Sequence, residues 1–307
     1  MNMIEVNKLT KDYGHGRGVF DVTFEVRKGE TLGFLGPNGA GKSTTMRHLM
    51  GFSAPQTGTV SIDGMDCTGD HHRLLKKVGY LPGEVALPDG QTGRQFLRMM
   101  LDMKGVRDKG RAEELLERFE LDPDCKVRKM SIGEKRKLAV VAAFMSDPEI
   151  LLLDEPTSGL DPKMQEEFIN FVREEKQRGK TILLSSHIFS EVEALCDRIA
   201  IIKEGRLISV IDADEVKHGL KNIFTVEFER DEDYMAFIHS GISPGNGDRA
   251  ARRCSLSVPD ESTNSFLDAL SKVRIKQISE HSVSLEEYFM HFYRSGRRSQ
   301  QGGVSCA

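Results

Sequence analysis

The sequence lacks any long run of hydrophobic residues. Its longest uninterrupted apolar stretch covers residues 138–145, whereas about 18 apolar residues are needed to cross a bilayer as a helix. Residues 1–5 carry neither a basic start nor an apolar core, so they do not have the pattern of a secretory signal peptide. We therefore expect a chain that stays inside the cell and has no membrane-spanning segment of its own.

Cysteine is also scarce, and basic residues are not in excess over acidic ones. The five cysteines form an odd set without Cys-x-x-Cys spacing, which argues against a disulfide framework or a zinc knuckle and favours a reduced, cytosolic chain. The 43 lysines and arginines are outnumbered by 47 aspartates and glutamates, which gives a formal net charge of −4. A dedicated nucleic-acid-binding protein normally has a basic face, so no nucleic-acid partner is expected.

The first two-thirds of the chain is predicted to be an α/β domain. Apolar runs at residues 31–35, 150–153 and 181–184 have the length of strands and do not alternate with polar residues. Such runs are typical of strands covered by helices on both faces of a parallel sheet. Apolar residues at helical spacing within residues 112–119 and 164–172 predict helices between the strands.

The pattern changes near residue 220. Residues 223–228 and 254–258 alternate apolar and polar side chains, as half-buried strands do. Helices are predicted near residues 232–238, 264–273 and 285–293. With 307 residues the chain is long enough for two domains. The predicted segments are the α/β domain at residues 1–218, a small α+β domain that fits a ferredoxin-like arrangement at residues 219–294, and a disordered tail at residues 295–307.

Residues 36–43 form a phosphate-binding motif. They read Gly-Pro-Asn-Gly-Ala-Gly-Lys-Ser, match G-x-x-x-x-G-K-[ST], and stand between a predicted strand and a predicted helix. Glycines let backbone N–H groups turn inward around an anion, and the helix N-terminus adds positive potential. Lys42 is expected to contact the β- and γ-phosphates of a nucleoside triphosphate, and Ser43 to bind Mg²⁺. The expected nucleotide-binding residues of this motif are Gly36, Pro37, Asn38, Gly39, Ala40, Gly41, Lys42, Ser43 and Thr44.

A pair of carboxylates ends the predicted strand at residues 150–153. Asp154 is the expected Mg²⁺ partner, and Glu155 stands one residue further on as the expected general base for the attacking water. The carboxyl ends of parallel strands are where ligands bind in α/β sheets. The 112 residues between Lys42 and Asp154 are more than a small nucleoside kinase needs, so a helical insertion is expected at about residues 85–145.

Further segments stand in a fixed order around these two motifs. Residues 154–162 read Asp-Glu-Pro-Thr-Ser-Gly-Leu-Asp-Pro, and residues 131–137 read Ser-Ile-Gly-Glu-Lys-Arg-Lys. His187 follows the predicted strand at residues 181–184, and Tyr13 stands near the N-terminus. Over roughly residues 3–215 the sequence closely resembles the ATP-binding cassette (ABC) ATPases, in which segments of this kind are the hydrolytic strand, the signature, the switch histidine and the adenine-stacking aromatic residue.

This resemblance implies roles for individual residues. Tyr13 would stack on the adenine of ATP, and His187 would hold the γ-phosphate and the attacking water. In the family two cassettes close on two ATP molecules, and each ATP is held between the phosphate loop of one cassette and the signature of the other. Here the two cassettes would be a homodimer or a pair of different chains. Asp161 would then lie at the dimer seam. The signature residues expected to contact the partner's ATP are Ser131, Gly133 and Glu134, of which Ser131 and Glu134 also form a helix capping box.

Two positions depart from the family pattern. Ile132 replaces the first glycine of the signature, and Gly83 stands where the family has a glutamine that senses Mg²⁺ and the membrane partner. Either the neighbouring Glu84 takes over the contact with water and metal, or coupling at this position is weaker.

Two short segments indicate a subclass. Residues 80–84 and 284–289 resemble the ATPase chains of bacterial multidrug and antibiotic exporters, in which the membrane domain is a separate polypeptide. The resemblance implies an ATP- and Mg²⁺-dependent ATPase, peripheral on the inner face of the cell membrane, that dimerises to drive a transmembrane permease. The alternatives are a soluble ABC ATPase with a non-membrane partner and, less in keeping with the signature, a small-molecule kinase.

Overall fold

The computed structural model describes residues 1–108, 110–213, 222–239, 246–258 and 262–281. The chain divides between Ala213 and Asp214 into two compact units. The domain boundary predicted at residue 218, the helix predicted at residues 285–293 and the tail predicted at residues 295–307 lie outside the described residues.

The first unit is organised around a six-stranded sheet. The strands of this sheet are β3 (Thr31–Leu35), β6 (Val78–Leu81), β7 (Ile150–Asp154), β8 (Thr181–Ser186), β9 (Arg198–Lys203) and β10 (Arg206–Asp212). Their order is β10-β9-β3-β8-β7-β6, and every neighbouring pair is parallel except the β9–β10 hairpin. The three predicted strands are confirmed as the neighbouring members β3, β8 and β7, in which every residue is buried.

A second sheet of four antiparallel strands shares a core with the first. Its strands are β1 (Asn2–Asp12), β2 (Gly18–Arg27), β4 (Thr57–Ile62) and β5 (Met65–Asp66). Their order is β2-β1-β4-β5, and their inward side chains pack with those of the main sheet. The Phe24 and Phe34 rings, one from each sheet, have centroids 5.2 Å apart.

Helices complete the first unit. They are α1 (Lys42–Leu49), α2 (His71–Lys77), α3 (Gly93–Lys104), α4 (Gly110–Arg118), α5 (Ile132–Phe144), α6 (Pro162–Gln177) and α7 (Phe189–Leu195), with a 3₁₀ turn at Val127–Lys129. Three of them, α3, α4 and α5, form the insertion expected at residues 85–145. Ion pairs from Arg118 to Glu167 and Glu174 join α4 to α6. The Phe119 and Phe171 rings meet edge to face beneath these pairs, with centroids 5.5 Å apart.

The second unit is a small α+β domain. Its described elements are β11 (Asn222–Phe228), α8 (Asp231–Ile238), β12 (Asn246–Asp248), β13 (Arg253–Val258), α9 (Thr263–Leu270) and β14 (Ile275–His281). They follow in the order βαββαβ, and the antiparallel sheet has the order β12-β13-β11-β14, which is the ferredoxin-like arrangement. The predicted alternation of apolar and polar side chains is confirmed, since Val226, Phe228 and Leu256 are buried against the two helices.

Gly79 sets the distance between β6 and α5. A Cβ atom at this position would lie 2.3 Å from the Ala143 carbonyl oxygen and 2.7 Å from a Pro148 side-chain carbon. Gly79→Ala is therefore expected to lower the free energy of unfolding by about 1–3 kcal/mol, as overpacking does. Denaturant titration would measure this. Gly69→Ala, where a Cβ meets no atom within 4 Å, is the control, and equal stability of the two variants would contradict the packing argument.

Candidate functional site

The phosphate loop joins the end of β3 to the start of α1. Two of its glycines are required by the backbone itself. A Cβ at Gly36 would lie 2.4 Å from the Ile202 carbonyl oxygen, and Gly41, which precedes the helix, has a φ of 108°, in the left-handed region. The loop therefore folds tightly against β9 and presents the α1 N-terminus to the cleft above it, as an anion site requires.

Lys42 lies inside the curve of this loop. Its side chain is only 4% exposed, and its ammonium group donates to the carbonyl oxygens of Gly36 at 2.7 Å and Pro37 at 3.1 Å. The same nitrogen lies 3.2 Å from Glu155 Oε1. A buried ammonium is tolerated only when it is paired and hydrogen-bonded, and these three partners meet that condition.

The two carboxylates stand at the carboxyl edge of the main sheet. Asp154 is the buried last residue of β7, and its Oδ1 accepts a hydrogen bond from the Ser185 hydroxyl on the neighbouring strand β8. Glu155 follows with a φ of 45°, a left-handed conformation that costs a residue with a Cβ on the order of 1 kcal/mol. Its backbone N–H donates to the Ser185 carbonyl at 3.0 Å. His187 Nδ1 lies 3.4 Å from Glu155 Oε1.

A cleft of about 890 Å³ is lined by Lys42, Asp154 and Glu155, and by Asn38, Gly39, Gly41, Ser43 and Thr44 of the phosphate-binding motif. Within the described part of the chain, its lining does not include Gly36, Pro37, Ala40 or His187. Tyr13 stands half-exposed at its margin, with the Lys11 ammonium 5.9 Å from the ring centroid. Tyr80 also lines the cleft, and burial, followed by the charge of Asp154, raises its pKa to about 12. Sequence reasoning gave no individual role to several lining residues, of which Tyr80, Pro82 and Ser158 lie within quoted segments and the others in no motif. These residues are Arg17, Gly18, Arg47, Phe52, Tyr80, Pro82 and Ser158.

The cleft fits a magnesium ion by the chemistry of its donors. The Ser43 and Asp154 side chains line it together, and both offer the hard oxygen ligands that Mg²⁺ prefers. Gly83 lies beside the Asp154 carboxylate, since a Cβ at Gly83 would lie 3.2 Å from Asp154 Oδ2. Among the described residues no group of three or more His, Cys, Asp or Glu side chains could enclose a metal.

The signature residues lie elsewhere in the unit. Within the described part of the chain the cleft lining does not include Ser131, Gly133, Glu134 or Asp161. The predicted capping box is confirmed: Glu134 N–H donates to Ser131 Oγ at 3.2 Å, and Ser131 N–H donates to the Glu134 carboxylate at 2.8 Å. The hydrogen bond from the Ser131 backbone keeps the pKa of Glu134 low. Asp161 caps α6 by accepting from Met164 N–H at 3.1 Å.

Comparison with known proteins gives a consistent result. Residues 19–158 match the family model described as ABC transporter. The bacitracin transport ATP-binding protein BcrA of Bacillus licheniformis is 35% identical over 239 residues, which cover 77% of this chain and 78% of that protein. The chain belongs to the ABC transporter family. It is a nucleotide-binding subunit of such a transporter, and it binds and hydrolyses ATP, so the transporter prediction is confirmed.

Two further matches are an export ATP-binding protein and a dimeric cassette structure. The Nod factor export ATP-binding protein I of Paraburkholderia xenovorans is 38% identical over 231 residues, covering 72% of this chain and 76% of that protein. A dimeric, post-hydrolysis structure of the cassette MJ0796 with ADP and Pi matches with a TM-score of 0.62 and 25% identity, covering 69% of this chain and 99% of that one. Within the described residues of our chain, no helix has both the length and the apolar character needed to span a membrane.

Two helices in the described part of the chain begin with a capping box, and comparing them separates helix capping from ATP binding. Thr92 and Gln95 form one at the start of α3, and Ser131 and Glu134 form the other at the start of α5. Thr92→Ala and Ser131→Ala are each expected to lower the free energy of unfolding by about 1 kcal/mol. Only Ser131→Ala should also lower ATP turnover, measured as phosphate release. Equal turnover in both variants would remove Ser131 from the candidate site.

Proposed function

We propose that this chain is the ATPase of an exporter, and that two copies, or one copy and a related chain, close on two ATP molecules to drive a separate transmembrane permease. The observation that supports this most directly is the meeting of Lys42, Asp154, Glu155 and His187 at one edge of the sheet. Relatives named for bacitracin transport and Nod factor export support the exporter subclass.

In this proposal Glu155 is the general base. Ser43 and Asp154 would hold Mg²⁺, which would neutralise charge on the phosphates. The Glu155 carboxylate is 3.2 Å from the Lys42 ammonium. An arriving γ-phosphate competes for Lys42, which frees Glu155 to take a proton from the attacking water. His187, 3.4 Å from the same carboxylate oxygen, orients that water and hydrogen-bonds the γ-phosphate. Tyr13 stacks on the adenine.

The position of the signature residues outside the cleft lining supports a dimer. The α5 N-terminus is a second place where backbone N–H groups can meet an anion, and it lies outside the cleft of its own chain. Ser131, Gly133 and Glu134 would therefore serve the ATP of the partner cassette, with Asp161 at the seam. Ile132 is 80% exposed at this helix start, so its apolar side chain would be covered by the partner when the dimer closes.

An apolar groove of about 490 Å³ is the proposed docking surface for the permease. Phe52, Tyr80, Pro82 and Glu84 line both the groove and the nucleotide cleft. A helix from a cytoplasmic loop of the permease, seated here by its apolar face, would thus touch residues that also face ATP. Glu84 is the proposed link between them, since Gly83 has no side chain to fill that role. This docking places the chain on the inner face of the membrane.

The base assignment can be tested by two substitutions in the cleft. Glu155→Gln should retain ATP binding, lose turnover and accumulate an ATP-bound dimer, because an amide cannot accept the proton. Lys42→Ala should lose ATP binding itself, because the loop then lacks its buried cation. Filtration binding, phosphate release and analytical ultracentrifugation would measure the three properties. Wild-type turnover by Glu155→Gln would show that another group is the base.

The permease can be tested by co-purification from mild-detergent membranes of the host. A polytopic membrane protein is expected in stoichiometric amount with the tagged chain. Met103 is 69% exposed in the groove, and Ile208 is 48% exposed on β10 outside it. Met103→Glu should lose the membrane protein, whereas Ile208→Glu should keep it. Capture of soluble partners only would favour the alternative of a soluble ABC ATPase.

A further inference from the structure

Arg136 is a buried arginine beneath the nucleotide cleft, and sequence reasoning gave it no role although it lies in the signature segment. It lies on α5, five residues after Ser131, and is 2% exposed. A guanidinium carries five N–H donors in one plane, and this one meets five backbone carbonyl oxygens, so the donors and acceptors match in number. Nε donates to Pro156 at 2.9 Å, Nη1 to Pro82 and to Gly83 at 3.1 Å, and Nη2 to Asp154 at 3.2 Å and to Glu155.

The five carbonyls belong to two separate loops. Residues 154–156 carry the candidate metal ligand and general base, and residues 82–83 lead to Glu84, which faces both the cleft and the apolar groove. The guanidinium therefore joins the catalytic loop, the loop next to the groove and the helix that begins with the signature. Burial lowers the pKa of Arg136 to about 10, so the group remains charged at neutral pH.

The backbone of Glu155 depends on these contacts. Its φ of 45° lies in the left-handed region, which a residue with a Cβ adopts only when its surroundings hold it there. The Glu155 N–H is held by the Ser185 carbonyl, and its own carbonyl accepts from Arg136 and from Ser158 N–H at 3.1 Å. The direction in which the carboxylate leaves the chain follows from this backbone conformation.

We propose that Arg136 is a positioning residue for ATP hydrolysis. It fixes the position of the Glu155 carboxylate and transmits movement of α5 to that carboxylate. The inference rests on the proposed roles of Glu155 and of the signature. The N-terminus of α5 would contact the ATP of the partner cassette, while Arg136, on the same helix, holds the base of its own cassette. Arg136 thereby couples the two ATP sites of the dimer.

Arg136→Lys tests this proposal with the charge retained. An ammonium has three donors on one atom and cannot span both loops. In phosphate-release assays with Mg-ATP and the full-length chain, together with the membrane protein that co-purifies, kcat should fall about ten- to hundred-fold. The dependence on ATP concentration should become less cooperative. Binding of a fluorescent ATP analogue should stay near the wild-type value, because Arg136 does not contact the phosphate loop.

Arg118→Lys is the matched control. Arg118 donates to Glu167 and Glu174 on α6 and to none of the five carbonyls, so its kcat and cooperativity should stay near wild type. Thermal unfolding would verify that both variants are folded. If Arg136→Lys does not fold, Arg136→Gln, which keeps two donors, replaces it in the same assays.

Two results would overturn the inference. One is wild-type kcat and cooperativity in folded Arg136→Lys. The other is a parallel fall of kcat, analogue binding and thermal stability, which would show a purely structural role. Glu155→Gln, assayed beside it, separates this inference from the proposed function. An inactive Glu155→Gln with a fully active Arg136→Lys refutes only the role of Arg136, whereas an active Glu155→Gln refutes the base assignment itself.

Discussion

Two buried cations beneath the nucleotide cleft determine how the surrounding loops are arranged. Lys42 is 4% exposed and Arg136 is 2% exposed, and a buried charge is stable only when oxygen atoms replace the water it has lost. Lys42 obtains them from its own loop and from Glu155, and Arg136 obtains them from backbone carbonyls of two loops. The loops that carry the candidate catalytic groups are thus folded around positive charge.

This arrangement has a consequence for the reaction cycle. Glu155 is held by a cation that the phosphates of ATP would also attract. Under the proposed mechanism, ATP and Glu155 would therefore compete for one ammonium group. The strained backbone of Glu155 is stabilised from β8 on one side and from α5 on the other. Movement of either element changes the position of the carboxylate.

Much of the fold and of the candidate site could be predicted from local sequence. The phosphate loop, the strand that ends in two carboxylates and the ferredoxin-like alternation each depend on neighbouring residues, and the structure has them where predicted. The antiparallel sheet of β1, β2, β4 and β5 was not predicted. The β1–β2 register shifts between Val6 and Leu9 and again between Leu9 and Lys11, so the apolar residues do not alternate regularly and the strand pattern is hidden.

The sequence by itself determined the family, the phosphate loop and the order of the motifs, because each is a short run whose chemistry depends on adjacent residues. The tertiary structure decided which of those residues meet. It brought Glu155 within 3.2 Å of Lys42 and kept Ser131 outside the same cleft. It also distinguished Arg136 from Lys135 and Lys137, which look equivalent in the sequence. Only the fold decides which of three adjacent cations points inward, because burial and hydrogen-bond partners depend on chain segments far apart in sequence.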